Sequence, residues 1–288
     1  MAEAIAIATP TRTRIRSGLG VLFWFAVAWL FVVLIAAVFG HFLPLDDPTR
    51  IRPADKYLPI FSDGHLLGTD QLGRDMLARL VDGAKISVFI SLTTVGVGIV
   101  VGGILGTTVG YFGGKVEAIA MAIVNIVLSF PALVILLGVV AMAGQTLKVI
   151  TTVFSVLAIP AYTRFARAST ITIKQNDWVT ASAMIGSTTR RIVFRVLMPN
   201  VLLTLITFGL LAIGGVIVAE GVIAFLGFGV PPPQATWGGM IADGNRAFAD
   251  DVLHVAIVPA SAMFLTILSL NLVGDGLRRH FQVRAAQI

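Results

Sequence analysis

Asn176-Asp177-Trp178-Val179-Thr180-Ala181-Ser182-Ala183-Met184-Ile185-Gly186, running on through Ser187 to Leu197-Met198-Pro199-Asn200, is a long polar interruption between two apolar stretches. Asp177 reads as an N-cap, and Trp178 to Ile185 has neither proline nor interior glycine, so it predicts a short helix. Gly186 stands where that helix should stop. Ser187 then reads as the cap of a second helix carrying Arg190, Arg191 and Arg195 and leading to Pro199. The expected result is a compact, basic helical knob. The runs on either side, Val149 to about Ala168 and Pro199 to about Phe228, are apolar and long enough to cross a bilayer, which takes roughly 20 helical residues. Knob plus spans predicts an all-α polytopic membrane protein.

Composition agrees. Of 288 residues, 57% are hydrophobic and only 12% charged, against about 25% charged in ordinary soluble domains. There is no cysteine, hence no disulfide, thiolate metal site or catalytic thiol. The net charge of +6 does not point to nucleic acid, because the basic residues fall between apolar runs rather than on one soluble face.

Taken in order, residues 1–18 form a basic tail with Arg12, Arg14 and Arg16, and Leu19 to Gly40 is an uncleaved first span. His41 to Lys85 is a polar segment in which Asp70 reads as the N-cap of the next helix. Asp63, His65, Asp70 and Asp75 lack metal-site spacing and read as turn and cap residues. Ile86 to Phe112 is the second span. Its Gly98, Gly102, Gly106 and Gly110 recur every fourth residue and so share one face, which predicts close helix packing, with a pore lining as the alternative. Ala118 to about Ala143 is the third span, kinked at Pro131. The fourth ends in Arg164 and Arg167, whose long stems are expected to reach the headgroups. The fifth runs from Pro199 to Phe228, residues 229–251 form an acidic loop, and the sixth runs from Val252 to Leu277.

Six spans put both termini on one side. Thirteen Lys and Arg fall on that side, including Arg284 in the C-terminal tail, and eight on the other, six of them in the long first loop. The asymmetry predicts cytoplasmic termini and a cytoplasmic knob.

The knob resembles the cytoplasmic loop of permease subunits of ATP-driven (ABC-type) importers. That pattern is Glu-Ala-Ala, three residues, Gly, nine residues, Ile, one residue, Leu-Pro. Here it starts at Thr180, with Ala181, Ser182, Gly186, Val196, Met198 and Pro199 at the marked positions. Ala181, Gly186 and Pro199 match. Thr180 replaces the usual Glu and Ser182 an Ala, so the spacing survives without the charge. A Glu at position 180 would complete a capping box with Asp177. Four further stretches resemble the dipeptide and oligopeptide branch, which includes nickel and glutathione importers. They are Gly68-Thr69-Asp70-Gln71-Leu72-Gly73-Arg74-Asp75, Tyr111-Phe112-Gly113-Gly114, Phe225-Leu226-Gly227-Phe228-Gly229-Val230 with Pro232-Pro233 and Trp237-Gly238, and Asn271-Leu272-Val273-Gly274-Asp275-Gly276-Leu277-Arg278. They stand in family order, and the chain looks like the second ("C"-type) permease of such a system.

The resemblance implies a type I importer permease fold in a bacterial inner membrane. Residues 1–65 would be an N-terminal tail, span and loop, and 66–288 the core, with a coupling loop at 174–199. It implies a second homologous permease, two ATP-binding subunits carrying ATP and Mg, an extracytoplasmic substrate-binding protein, and no cofactor in this chain. Asp177, Trp178, Thr180, Ala181, Ser182, Gly186 and Pro199 would couple to the ATPase. No Gly-Lys-Ser/Thr phosphate loop is present, consistent with ATP hydrolysis elsewhere.

Two rival readings remain at this level. A membrane serine protease needs a histidine within the bilayer, but His41, His65, His254 and His280 all lie at span ends or in loops. A stand-alone secondary transporter or channel would show broken helices and inverted repeats, and no repeat is evident. Glu220 is the one carboxylate deep in a span. It reads either as a residue near the outer headgroups hydrogen-bonded to a neighbouring helix, or as part of the translocation path with Asn125 and Asn271. Asn271 more simply bonds helix to helix, and Asp275 caps or pairs with Arg278 or Arg279.

Overall fold

The computed structural model describes residues 20–247 and 250–285. The basic tail with Arg12, Arg14 and Arg16 and the side chain of Arg284 lie outside the described residues. Helices dominate: α1 Val21–Phe39, α2 Met76–Phe112, α3 Gly114–Ser129, α4 Ala132–Ala143, α5 Leu147–Lys174, α6 Asp177–Met184, α7 Thr189–Phe225, α8 Trp237–Ala247 and α9 His254–Ala285. α1, α2, α5, α7 and most of α9 are each long and apolar enough to cross a membrane. The third expected span is not one kinked helix: α3 and α4 meet at a 77° bend. Pro131 causes the break, because it has no N–H for the helix ladder and pushes Phe130 into an extended conformation. With that pair counted as one span there are six among the described residues.

Several helices run longer than expected, α5 among them, which continues past Ala168 to Lys174. α2 begins at Met76, ten residues before the apolar run, because Asp75 caps it by accepting the Ala78 N–H at 2.7 Å. Asp70 is therefore not the cap. α7 begins at Thr189 and runs unbroken through Pro199, so the fifth span does not start there. It passes Pro199 by widening into a π turn over Ile192–Leu197. α9 continues past Leu277 to Ala285.

The glycine ridge of α2 is a packing face. α2 carries a π turn at Gly98–Gly102, where the Tyr162 ring sits. A Cβ at Gly102 would meet Tyr162 Cβ at 2.6 Å and the Ile159 carbonyl at 2.8 Å, and one at Gly110 would meet the Arg167 carbonyl at 3.0 Å. α2 and α5 thus touch backbone to backbone. In lipid, where apolar surface gains little by leaving the solvent, such close approach is the main source of helix association.

One end of the bundle carries the α2–α3 turn and α6, the "knob end". The other carries residues 40–75, the α4–α5 turn and residues 226–253, the "cap end". Gln145 Nε2 donates to the Gly227 carbonyl at 3.0 Å there, tying two of these connections together.

Candidate functional site

At the knob end, α5 runs through Gln175 and Asn176 into α6. Asn176, not Asp177, is the N-cap residue, and no side chain caps this helix. Thr180 is accordingly one position too late for a capping box: its N–H bonds the Asn176 carbonyl at 3.4 Å as the first full helical turn. The C-terminus is a Schellman turn. Gly186 N–H donates to the Ala183 carbonyl at 3.0 Å and Ser187 N–H to the Ser182 carbonyl at 3.2 Å. Gly186 makes this possible with φ at +86°. Ser182 and Ser187 close the same turn through their hydroxyls, 3.2 Å apart. Ser187 is thus spent on the turn, and Thr188 caps α7 by accepting the Arg191 N–H.

The knob is anchored on its inner face only. Val179 is buried with Ile192 and Leu197, against Tyr111, Ile173 and Val196. Lys174 Nζ donates to the Tyr111 carbonyl at 2.7 Å and lies over the Tyr111 ring. Below it, Arg167 pairs with Glu117, so it ties α5 to α3 rather than reaching freely for headgroups. The outer face is left open and apolar. Trp178 is 46% exposed, Met184 84% and Ile185 85%, with Asp177, Thr180 and Ala181 also exposed. Pro199 is exposed two residues beyond the π segment. Three bulky apolar side chains held out on a short rigid helix form a surface that water does not favour.

The cap end holds a feature that was not legible in the sequence. Asp70 is 1% exposed and accepts the Leu72 N–H at 2.8 Å and the Arg74 N–H at 3.0 Å. Its carboxylate also meets Arg74 Nε at 2.7 Å and Arg79 Nε at 3.3 Å. Both guanidinium groups reach Asp243 of α8 at 3.5 Å. Burial pushes the Asp243 carboxyl above its ordinary range, while Arg79 and Arg74 pull it down. Next to this cluster, His65 Nδ1 lies 2.8 Å from Asp75, and His254 Nε2 lies 3.2 Å from the Thr69 carbonyl. Asp70 and Asp75 therefore serve as turn and cap residues, and Asp63 is exposed.

The acidic 229–251 loop contains α8, whose inner face is apolar. Trp237 is 2% exposed, its Nε1 donates to the Leu80 carbonyl at 3.0 Å, and its backbone N–H donates to Ser87 at 3.2 Å. Under α8 lies Glu220, 1% exposed. Among the described residues no donor meets either oxygen in full hydrogen-bond geometry, but the Gly238 N–H and the Thr236 side chain of neighbouring α8 lie beside the carboxyl. Asn271 is exposed and bonds its own helix at the Ile267 carbonyl, 2.9 Å, rather than another helix. Asn125 is exposed on α3. Asp275 is exposed and forms no ion pair with Arg278 or Arg279 among the described residues.

Residues 98–287 match the model of the family described as "Binding-protein-dependent transport system inner membrane component". The chain belongs to this family. It is 34% identical over 87% of its length to a glutathione transport system permease protein of Pectobacterium atrosepticum, covering 84% of that protein. It is 32% identical over 87% of its length to a di/tripeptide transport system permease protein of Pseudomonas aeruginosa, covering 84% of that protein. A glutathione transport system permease protein of Escherichia coli O1:K1 is 34% identical over the same share of this chain, with 83% of its own length covered.

The chain is thus a permease subunit of an ABC importer, an integral inner-membrane protein that is not itself catalytic. This decides against the stand-alone transporter and the intramembrane protease. The permease's knob was visible in the sequence as a spacing of Ala181, Gly186 and Pro199. Its capped ion cluster was not, since Asp70, Arg74, Arg79 and Asp243 span 174 positions with no periodicity. The one local sign was Gly73, whose φ of +71° lets the chain turn Asp70 back onto Arg74.

Proposed function

We propose that this permease imports di- or oligopeptides, glutathione-like tripeptides included, as one half of a channel completed by a second homologous permease. Two partner ATPases would supply ATP hydrolysis with Mg, and an extracytoplasmic binding protein would deliver substrate to the cap end. The substrate class follows that of the glutathione and di/tripeptide permeases it resembles. Residues 1–65 would add an N-terminal span to a core of 66–288. Asn125 and Asn271, exposed on the single chain, are candidates for the path.

The observation that carries the coupling assignment is the open apolar face of α6. A helix anchored through Val179 alone, continuous in chain direction with α5, presents Trp178, Met184 and Ile185 outward. The ATPase would seat these side chains, and its closure would push on α5 and, through the Schellman turn, on α7. Asp177, Thr180, Ala181 and Ser182 would complete the contact, with Gly186 and Pro199 setting its geometry.

Reconstitution of the complex in liposomes, with uptake and ATPase activity scored against a panel of peptides, glutathione and nickel, tests the substrate class. For coupling, Gly186→Val is the informative variant. Nothing lies within 4 Å of a Cβ at Gly186, so no clash confuses the result. A β-branched residue at φ +86° is strained by about 1–3 kcal/mol. The turn should open, leaving the spans folded while substrate-stimulated ATPase and uptake separate. Thr180→Glu, exposed and beyond the cap position, should be tolerated. Full, coupled transport by Gly186→Val would remove the coupling role from α6.

Orientation is tested separately. Asp63→Cys and Lys115→Cys place single thiols at exposed positions on opposite ends of a chain with no cysteine. In right-side-out vesicles an impermeant reagent should label the first at once and the second only after permeabilisation. The reverse order would invert the topology.

A further inference from the structure

Glu220 presents a problem that the importer reading alone does not solve. A carboxyl buried in a span costs several kcal/mol unless something compensates it. No cation faces it within 4.0 Å among the described residues, and both oxygens are unpartnered. Yet it does not point along a span surface. It is aimed at the N-terminus of α8.

That terminus is built around it. Of the first-turn N–H groups, Trp237 donates to Ser87 at 3.2 Å, Gly239 to the Thr236 hydroxyl at 2.9 Å and Met240 to the Thr236 carbonyl at 2.9 Å. The Gly238 N–H is left, and it lies beside Glu220 together with the Thr236 side chain. A Cβ on Gly238 would come within 2.8 Å of Glu220 Oε2 and would collide with the Gly221 Cα. Two glycines, one on each helix, therefore bring the backbones together and expose the free N–H to the acid. The positive end of an 11-residue helix compensates the buried carboxyl.

We propose that Glu220 is a positioning residue: its carboxyl anchors the N-terminus of α8 and so fixes the cap ends of α2 and α7 relative to each other. The linkage is on one short segment. Trp237 keys into α2 at Leu80 and Ser87, Ala235 N–H reaches Asp82 of α2 at 3.5 Å, and Gly238 rests on α7. Parting the cap ends of α2 and α7 to admit substrate means moving this segment. Glu220 sets how firmly it is seated. The transport consequence rests on the importer reading; the seating of α8 does not.

The test separates the two. Ala235→Cys, at a position 1% exposed, reports the seating of α8 by its labelling rate with an impermeant thiol reagent on the intact complex in permeabilised vesicles. In an otherwise wild-type complex the thiol should be protected. Adding Glu220→Ala should raise labelling about tenfold, as a local opening rather than global unfolding. It should also lower the ratio of substrate-stimulated to basal ATPase. Glu220→Gln, which keeps an accepting oxygen facing the Gly238 N–H, should restore protection and uptake to within about twofold. Thr236→Val should raise labelling alone and add little in the Glu220→Ala background, since both act on one contact. If Glu220→Ala fails to assemble, Thr236→Val and Glu220→Gln still decide. A thiol that stays protected in Thr236→Val, or uptake lost in Glu220→Gln with the thiol protected, would overturn the proposal, the latter in favour of a carboxylate acting on substrate. Altered labelling with unchanged uptake throughout would confine Glu220 to seating α8 and overturn its role in transport.

Discussion

Gly106→Val should leave almost no folded permease in the membrane. A Cβ at Gly106 meets the Thr163 carbonyl inside any tolerable contact, Ala166 Cβ at 2.7 Å and the Arg167 N at 2.9 Å. Two of the three are backbone of α5 and cannot rotate away. The helices must separate, and Gly102 and Gly110 on the same face would then lose their contacts as well. Overpacking of this kind costs about 3 kcal/mol or more when the neighbour is rigid, which is over a hundredfold in the folded population. Gly96→Ala is the control on the same helix: nothing lies within 4 Å of its Cβ, and it should accumulate like wild type or better. Detergent-solubilised protein run on a sizing column, with a thermal aggregation assay, gives both results. Wild-type yield of a monodisperse Gly106→Val complex would mean that α2 and α5 are not packed backbone to backbone.

This ridge was legible because its information is periodic and local. Four glycines at four-residue spacing can only share a helical face, and in a span a face of glycines means close approach. The same holds for the apolar spans and for the Gly186 stop, where a single residue type carries the backbone conformation. Helix ends are less legible. Asp70, Asp177 and Ser187 are all suitable caps by residue type, yet Asp75, Asn176 and Thr188 hold the cap positions. The choice depends on which neighbouring N–H groups tertiary contacts have already taken. Ser187 is drawn to Ser182 by the Schellman turn, and Asp70 to two arginines by the cap.

The 77° break at Pro131 shows a different limit. A proline in a span bends or breaks the helix according to what packs around it, and in this chain Phe130 becomes extended. α8 is hidden in the sequence for a compositional reason. Trp237 to Ala247 has three glycines and few strong helix formers, with Asp243 inside it and Asp250 and Asp251 just after it. Its helicity comes from burying Trp237, Met240 and Ala247 against α2, α7 and α9, a tertiary gain that no window of residues displays.

Asp70→Asn should destabilise the cap end severely, by about 3–5 kcal/mol, because it removes the partner of two buried guanidinium groups at once. Arg74 and Arg79 are 4% and 3% exposed and would keep only Asp243, at 3.5 Å from each. Arg79 already has one buried nitrogen, Nη1, without a partner, so there is no spare acceptor to take up the charge. The amide introduced by Asp70→Asn would also offer only one accepting oxygen where the carboxylate now serves Leu72 N–H, Arg74 N–H, Arg74 Nε and Arg79 Nε. Replacing one cation as well should recover part of the loss: Asp70→Asn with Arg79→Gln leaves a single buried positive charge facing Asp243. The double variant is expected to be more stable than Asp70→Asn alone, a non-additivity of about 1–3 kcal/mol. Arg50→Gln is the surface control. The Arg50 side chain is 62% exposed and meets Asp46 only at 3.9 Å, so its loss should change stability by under about 1 kcal/mol. Thermal unfolding of the purified complex ranks wild type and the three variants. Because the cluster ties the 66–75 segment to α8 through Asp243, the Asp70→Asn chain should also lose protection of the Ala235→Cys thiol while the knob end stays ordered. Equal stability of Asp70→Asn and Arg50→Gln would show that the cluster is solvated in the assembled permease, with water rather than Asp70 balancing Arg74 and Arg79.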